Sequence, residues 1–206
     1  MPDETISAFS LRPMGLDDVS KIADWFWDAE DVALFDRSLP VPMNNESIRE
    51  RWRASLEHSV FPRAFWFIAE NEEQKPAGIA GLEAVNYVQG NAILPAFTGK
   101  EFRGKGLATA MVVQLLDLAF NKLRLHRLTT YYRDDNVPTQ HALSKVGFKE
   151  EGRYREAWFA NGSRRDTVIV GLLASEWAKT RDAVVEDIAR SSKVSLTSAG
   201  WKQNLG

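Results

Sequence analysis

Apolar and polar positions change their spacing along this chain near Pro62. Before that point the spacing is mainly helical. Leu11 and the Arg12-Pro13-Met14 after it predict a short first strand that ends at Pro13, since proline has no N–H to offer a ladder. Asp17 and Asp18 sit where a helix would start, and Val19, Ile22, Ala23 and Phe26 continue at helical intervals. Leu39 to Asn45 (LPVPMNN) is rich in breakers and reads as a loop. Ser47 and Glu50 have capping-box spacing, which satisfies two orphan amides at once. Ile48, Trp52 and Leu56 then give that second helix an apolar stripe.

Beyond Pro62 strands dominate. AFWFIAE predicts a buried strand, NEEQKPAG a hairpin turn, Ile79 to Val88 a second strand, QGN a turn, and Ala92 to Phe97 a third strand. A long helix is expected from about Gly106 to Leu123. Its positions Leu107, Met111, Leu115 and Leu118, with Ala108, Val112, Ala119 and Leu123, form a broad apolar face suited to a sheet. RLTTYY predicts another strand, and Pro138 to Val146 a short helix closed by Gly147 as a left-handed cap. REAWFA and DTVIVGLL flank Asn161-Gly162, the strongest short-range hairpin signal in the chain. From about Glu176 a helix carries Trp177, Val184, Val185 and Ile188, followed by a polar tail expected to be mobile. This order predicts an α/β fold of the α+β kind, a mixed, mostly antiparallel sheet flanked by helices. Residues 1–175 are expected to form one domain and residues 176–206 a C-terminal helix with its tail.

Composition narrows the chemistry. Hydrophobic residues make up 44% of the 206 and charged residues 26%, enough for a real core. A net charge of -2 gives no global field to recruit nucleic acid or an anionic membrane. The acidic, polar start is unlike a secretory leader, and no apolar run approaches the ~18 residues of a membrane span. A cytoplasmic protein with neither nucleic acid nor membrane as partner is expected. There are no cysteines, which removes disulfides, thiolate nucleophiles and thiolate metal ligands together. His58, His126 and His141 have no ligand spacing, so no metal is expected.

The stretch PAFTGKEFRGKGLATAMVVQLLDLAF, from Pro95 to Phe120, holds the most specific chemistry. A strand, a glycine-rich loop and a helix start form an anion grip: glycines let the backbone approach phosphate, and the orphan amides of the helix point at it. Gly99, Gly104 and Lys105 fit G-x-x-x-x-G-K-[ST], but Gly106 stands where a magnesium-holding hydroxyl is needed. A nucleotide-hydrolase loop is therefore the weaker reading. A dinucleotide fingerprint fails for want of the third glycine. Arg103, Gly106 and Ala108 instead match [QR]-x-x-G-x-[GA], with the helix starting inside the motif.

With that motif the sequence resembles the GCN5-related N-acetyltransferase (GNAT) superfamily. A second block strengthens the likeness. Asn136, Thr139, Leu143, Gly147-Phe148 and Glu151-Gly152 look like the N-x-x-[ST]…GF…EG pattern of the branch related to ribosomal-protein N-terminal acetyltransferases. The resemblance covers roughly Phe9 to Trp177 and implies acetyl transfer from acetyl-coenzyme A to a primary amine in a ternary complex. The acceptor would be a protein N-terminus or a small-molecule amine, and a homodimer is compatible with it. It implies that the amides of Gly104, Lys105, Gly106, Leu107, Ala108 and Thr109 hold the pyrophosphate, with the cationic heads of Arg103 and Lys105 near the coenzyme phosphates. Phe97 and Thr98, on the strand before, would lie along the coenzyme, and an N–H near Ala96 to Thr98 would polarise the thioester carbonyl. Asn136 and Thr139 are implied at both the coenzyme and the chemistry.

The family's usual acid, a Tyr four positions before Gly-Phe, is Leu143 here. Thr139 is the substitute, with Tyr131, Tyr132 and Tyr154 behind it. Glu83, alternating with Ile79 and Val85, is the candidate base, competing with a plain edge-strand acid, and Glu156 is the alternative. Trp25, Trp27, Phe35, Trp52 and Trp66 are read as mostly core, with one or two walling an acceptor pocket. A coenzyme A-binding module without catalysis is the rival reading.

Overall fold

The computed structural model describes residues 7–35, 43–56, 61–160 and 162–198. His58, Asn161, Leu39 to Pro42 and the last eight residues, all named in the sequence reading, lie outside that set, as does the side chain of Phe35.

Strand β1 (Ser7–Pro13) ends at the expected proline. The single helix expected from Asp17 is instead two short 3-10 turns, Leu16–Lys21 and Ala23–Phe26, ahead of α1 (Ala29–Phe35). Side chains hold the first turn tight. Asp18 accepts the Gly15 N–H at 2.9 Å and two Arg12 N–H groups at 2.7 and 2.8 Å. Helix α2 (Asn45–Leu56) starts earlier than the predicted capping box: Asn44 Oδ1 accepts the Ser47 N–H at 2.8 Å, so the cap is Asn44.

Strands β2 (Phe65–Asn71) and β3 (Pro76–Asn86) pair antiparallel. Their alternation serves two cores. Phe67, Ala69, Ala80 and Leu82 face one, while Trp66, Ile68 and Ile79 face the 3-10 turns and α2 on the other side. A bulge at Ala84 (φ +49°) then reverses the alternation, so Val85 joins the first core and does not share a face with Ile79.

The predicted third strand is two strands, β4 (Asn91–Ile93) and β5 (Ala96–Thr98), separated by Leu94-Pro95. Both pair with β3, but only β4 also pairs with β6 (Arg127–Arg133), in parallel. Between β5 and β6 lies α3 (Leu107–Asp117), extended by a π-turn over Leu118–Lys122. Helix α4 (Val137–Lys145) leads to the hairpin of β7 (Lys149–Ala160) and β8 (Ser163–Leu173). Gly147, at φ +98°, ends α4 as expected.

Helix α5 (Ala174–Ser191) is fastened to α3 through a buried carboxylate. Asp117 accepts from Trp177 Nε1 at 2.9 Å and from Arg181 at 2.8 and 2.9 Å. The polar stretch after α5 is not all tail: β9 (Val194–Ser198) pairs in parallel with β1. Among the described residues the sheet has nine strands, ordered β7-β8-β6-β4-β3-β2-β1-β9 with β5 beside β3. Its pairings are antiparallel except β4–β6 and β1–β9, the mixed, mostly antiparallel sheet the element order predicts.

Candidate active site

The split between β4 and β5 opens the sheet. Leu94 N–H donates to Thr129 C=O at 2.9 Å, the last rung on the β6 side. Across from β6, Gly81 N–H reaches Pro95 C=O and Gly99 N–H reaches Ala77 C=O, both at 2.9 Å. Residues 95, 97 and 99 thus turn their main-chain groups toward β3. Antiparallel pairing alternates, so Ala96 and Thr98 turn theirs away, into the gap before β6. Of the residues expected along the coenzyme, Phe97 therefore has its main chain committed to β3. Its ring stacks against Trp25 (5.7 Å) and under the Arg103 guanidinium (5.3 Å). Thr98 lines the cavity that opens here, and its Oγ1 is buried with no hydrogen-bond partner.

The gap is part of a continuous cavity of about 1030 Å³ that runs to the face of β3 carrying Glu83. Its floor is the glycine loop. Gly104 and Gly106 have φ of +75° and +93°, backbone that side chains rarely adopt. A Cβ at Gly104 would meet nothing within 4 Å, so the main chain is bare to the cavity. The first helical bond of α3 is Ala110 N–H to Gly106 C=O (3.0 Å), which leaves the amides of Leu107, Ala108 and Thr109 ahead of the helix ladder. These features fit a phosphate-bearing ligand. The cavity wall agrees in charge: Arg103 and Lys145 line this half, and among the described residues no carboxylate does.

The basic side chains divide differently from expectation. Arg103 is tied to Thr98 C=O (3.1 Å) and to Asp31 of α1 (2.8 Å). Lys105 stands over the Phe102 ring at 5.7 Å and is not in the wall. Lys145 is, held by Asp187 (2.9 Å) and Ser191 (2.6 Å) of α5.

Asn136 caps α4, its Oδ1 accepting the Thr139 N–H at 3.2 Å, and both residues line the cavity. Thr139 and Leu143 stand one turn apart on that lining. Tyr131 and Tyr132 line it from β6. Burial raises the Tyr132 phenol above its ordinary value, with Glu150 adding to the effect, so it stays protonated. Tyr154 is 56% exposed on β7, and Glu156 is exposed with its N–H bonded to Asp166 at 2.9 Å. Neither of these two fallbacks reaches the cavity.

Glu83 does. It is the one carboxylate among the described residues of the wall. Burial raises its affinity for a proton, and the nearby Trp66 indole partly opposes that. Gly81 leaves room for the indole, because a Cβ there would lie 2.7 Å from the Trp66 ring. Beyond Glu83 the chamber is walled by Phe26, Met43, Ile48, Trp52 and Trp66, with Trp158 from β7. Trp158 Nε1 donates to Ala33 C=O of α1 (2.9 Å), so α1 is pinned to the hairpin at one point and to Arg103 at another. Trp27, by contrast, is 58% exposed.

A sequence profile described as an acetyltransferase (GNAT) domain matches residues 9–149. The chain belongs to this GNAT family. It is similar to a spermidine N(1)-acetyltransferase of Vibrio cholerae, 29% identical over 111 residues that cover 54% of this chain and 64% of that one. The chain thus spans less than two thirds of that relative's length. It is also similar to the ribosomal protein uS5-alanine N-acetyltransferase of Escherichia coli, 24% identical over 172 residues, 80% of this chain and 87% of the relative. Its fold resembles the crystal structure of the V. cholerae spermidine N-acetyltransferase in complex with CoA and spermine. The TM-score is 0.74 at 23% identity, over 82% of this chain and 98% of that one.

Part of this GNAT site lies beyond the matched span. Lys193 N–H and Ser192 Oγ both donate to Lys105 C=O, at 3.2 and 3.4 Å, so the connection between α5 and β9 backs the glycine loop. Nothing in the local sequence signals this, because Ser192 and Lys193 sit in a polar run with no motif. Lys145 was likewise unremarkable as one lysine at a helix end, and Trp158 as one aromatic in a hairpin. Among the described residues no cluster of His, Asp or Glu could hold a metal ion, and no helix is long and apolar enough to cross a membrane.

Proposed function

We propose that this GNAT chain transfers the acetyl group of acetyl-coenzyme A to a primary amine. One observation carries the reading: a glycine loop with outward amides and a chamber whose described wall holds a single carboxylate open into the same cavity, joined at the gap between β5 and β6. The names of the two relatives, both N-acetyltransferases, support it.

When bound, the coenzyme supplies the acetyl group as an activated thioester. The amides of Gly104 to Thr109 would hold its pyrophosphate, with Arg103 and Lys145 adding positive charge. The Ala96 and Thr98 N–H groups, turned into the gap, would hydrogen-bond along the bound chain and polarise the thioester carbonyl. Asn136 would keep α4 in register and Thr139 would face the sulfur. Glu83 would accept the amine's proton, directly or through one water. The nitrogen–carbon bond forms as the carbon–sulfur bond breaks, and Thr139 or the Tyr132 phenol would protonate the departing sulfur.

A thermal-shift series tests this. Acetyl-coenzyme A at a hundred times its Kd should add about 2.7 kcal/mol, or about 5–11 °C for a chain of this size. ATP with magnesium should give no shift. Thioester consumption with an amine panel then separates an enzyme from a coenzyme-binding module. Leu143, buried in the wall where a hydroxyl is usual, is the observation that favours the module. A coenzyme-induced shift without turnover of any amine would select it.

A further inference from the structure

The chamber beyond Glu83 has a composition that selects among amines. We infer that the acceptor is a primary monoamine carried on an aromatic or branched apolar body, and that polyamines are poor acceptors. The inference rests on the acetyltransferase reading and narrows it.

Two observations carry it. The described wall is mostly apolar, and its aromatic part is rigid: Trp52 meets Trp66 edge to face at 4.7 Å, and Phe26 meets Trp52 at 6.2 Å. Such a surface gains from covering an apolar ligand body. Next, Glu83 is the one carboxylate the described wall presents, and described acids on the surrounding elements are engaged elsewhere. Asp18 and Glu70 clamp Arg12, and Asp31 binds Arg103, all three outside the lining. A chamber for a polyamine needs a second anion, since an ammonium withdrawn from water without a partner is strongly disfavoured. One ammonium can give its proton to Glu83 and attack as the neutral amine; a second would remain charged beside apolar rings.

The test uses the full chain and acetyl-coenzyme A, with 2-phenylethylamine, 3-methylbutylamine, spermidine and an alanine-initiated peptide as competing acceptors. Initial rates should give 2-phenylethylamine a kcat/KM at least about 100-fold above that of spermidine. Equal or better use of spermidine overturns the inference, as does acetylation confined to the peptide. Turnover of no amine, with no 2-phenylethylamine binding by tryptophan fluorescence, overturns it too. A gain-of-function variant guards against loss of folding. Met43→Glu adds a carboxylate to a half-buried wall position and should move the ratio at least about tenfold toward spermidine; an unmoved ratio in a folded variant counts against the inference. Thermal shift with coenzyme alone separates the two levels. Absence of that shift defeats the acetyltransferase reading, whereas a normal shift with spermidine preferred defeats only the acceptor assignment.

Discussion

Ser192 Oγ lies 2.7 Å from where a Cβ on residue 106 would stand, so the α5–β9 connection packs against the glycine loop as closely as a glycine permits. The contact has a directional consequence. Lys193 N–H and Ser192 Oγ hold the Lys105 carbonyl from that side. In a trans peptide the next N–H points the opposite way, so holding the Lys105 carbonyl aims the Gly106 N–H away from Ser192. Gly106 itself lines the cavity.

Gly106→Ala should therefore fail for two separable reasons, a left-handed backbone costing about 1–2 kcal/mol and a collision with Ser192. Coenzyme affinity by calorimetry should drop at least about tenfold, about 1.4 kcal/mol. Adding Ser192→Gly removes the collision but not the strain, so the double variant should recover part of the loss. Strict additivity in the cycle would show that the two residues are not coupled.

Glu83→Gln should lower kcat by about 10²–10⁴-fold if the carboxylate takes the amine's proton. The pH profile carries the sign. Burial lifts the Glu83 proton affinity, so the rate should rise with pH through a limb above the ordinary carboxylate range. Ionising a carboxyl of raised affinity costs stability as pH rises through its native value. The glutamine variant should thus melt higher than wild type at neutral pH while turning over slowly. A variant with unchanged rate would return Glu83 to the role of a wall residue.

Asp117 ties α3 to α5 through Trp177 and Arg181. Asp117→Ala leaves the indole N–H and the guanidinium without their buried acceptor and should cost about 3–5 kcal/mol in urea denaturation. Asp117→Asn keeps an acceptor and should cost less. Because α5 leads into Ser192, the alanine variant should also weaken coenzyme binding more than its distance from the cavity suggests.

Asp18 is held below the usual carboxylate range by Arg12 first, with the Gly15 N–H and Lys21 assisting against burial. A depressed group stabilises fully above its unfolded value and loses that contribution as pH falls toward its native one. Wild-type stability should therefore decline below about pH 4. Asp18→Asn should be less stable at neutral pH and show a flatter acid limb. Equal slopes in denaturation across that range would show that the Arg12 cluster is not a source of the acid sensitivity.

The glycine loop, the cap at Gly147 and the β7–β8 hairpin were legible because each is written in a few adjacent residues: positive-φ glycines, a helix start, alternating strands. Glu83 was legible as a candidate but for an incomplete reason. The alternation that pairs it with Ile79 holds, yet the bulge at Ala84 sends Val85 to the other core. The third strand read as continuous since Leu94-Pro95 interrupts it without changing its apolar character. The capping box at Ser47 had the right spacing, but Asn44 is a better-placed acceptor one turn earlier.

Short motifs in the chain were enough to suggest the family, and local spacing to predict the mixed sheet and the glycine loop, because hydrophobic period and turn chemistry act over a few residues. Folding decided which carboxylate faces the cavity, Glu83 or Glu156, and that a polar run near residue 193 becomes a strand backing the loop. Those outcomes depend on contacts between segments up to about 90 residues apart, as Lys105 and Ser192 are. Such contacts arise from packing against a shared core and leave no periodic trace in either segment.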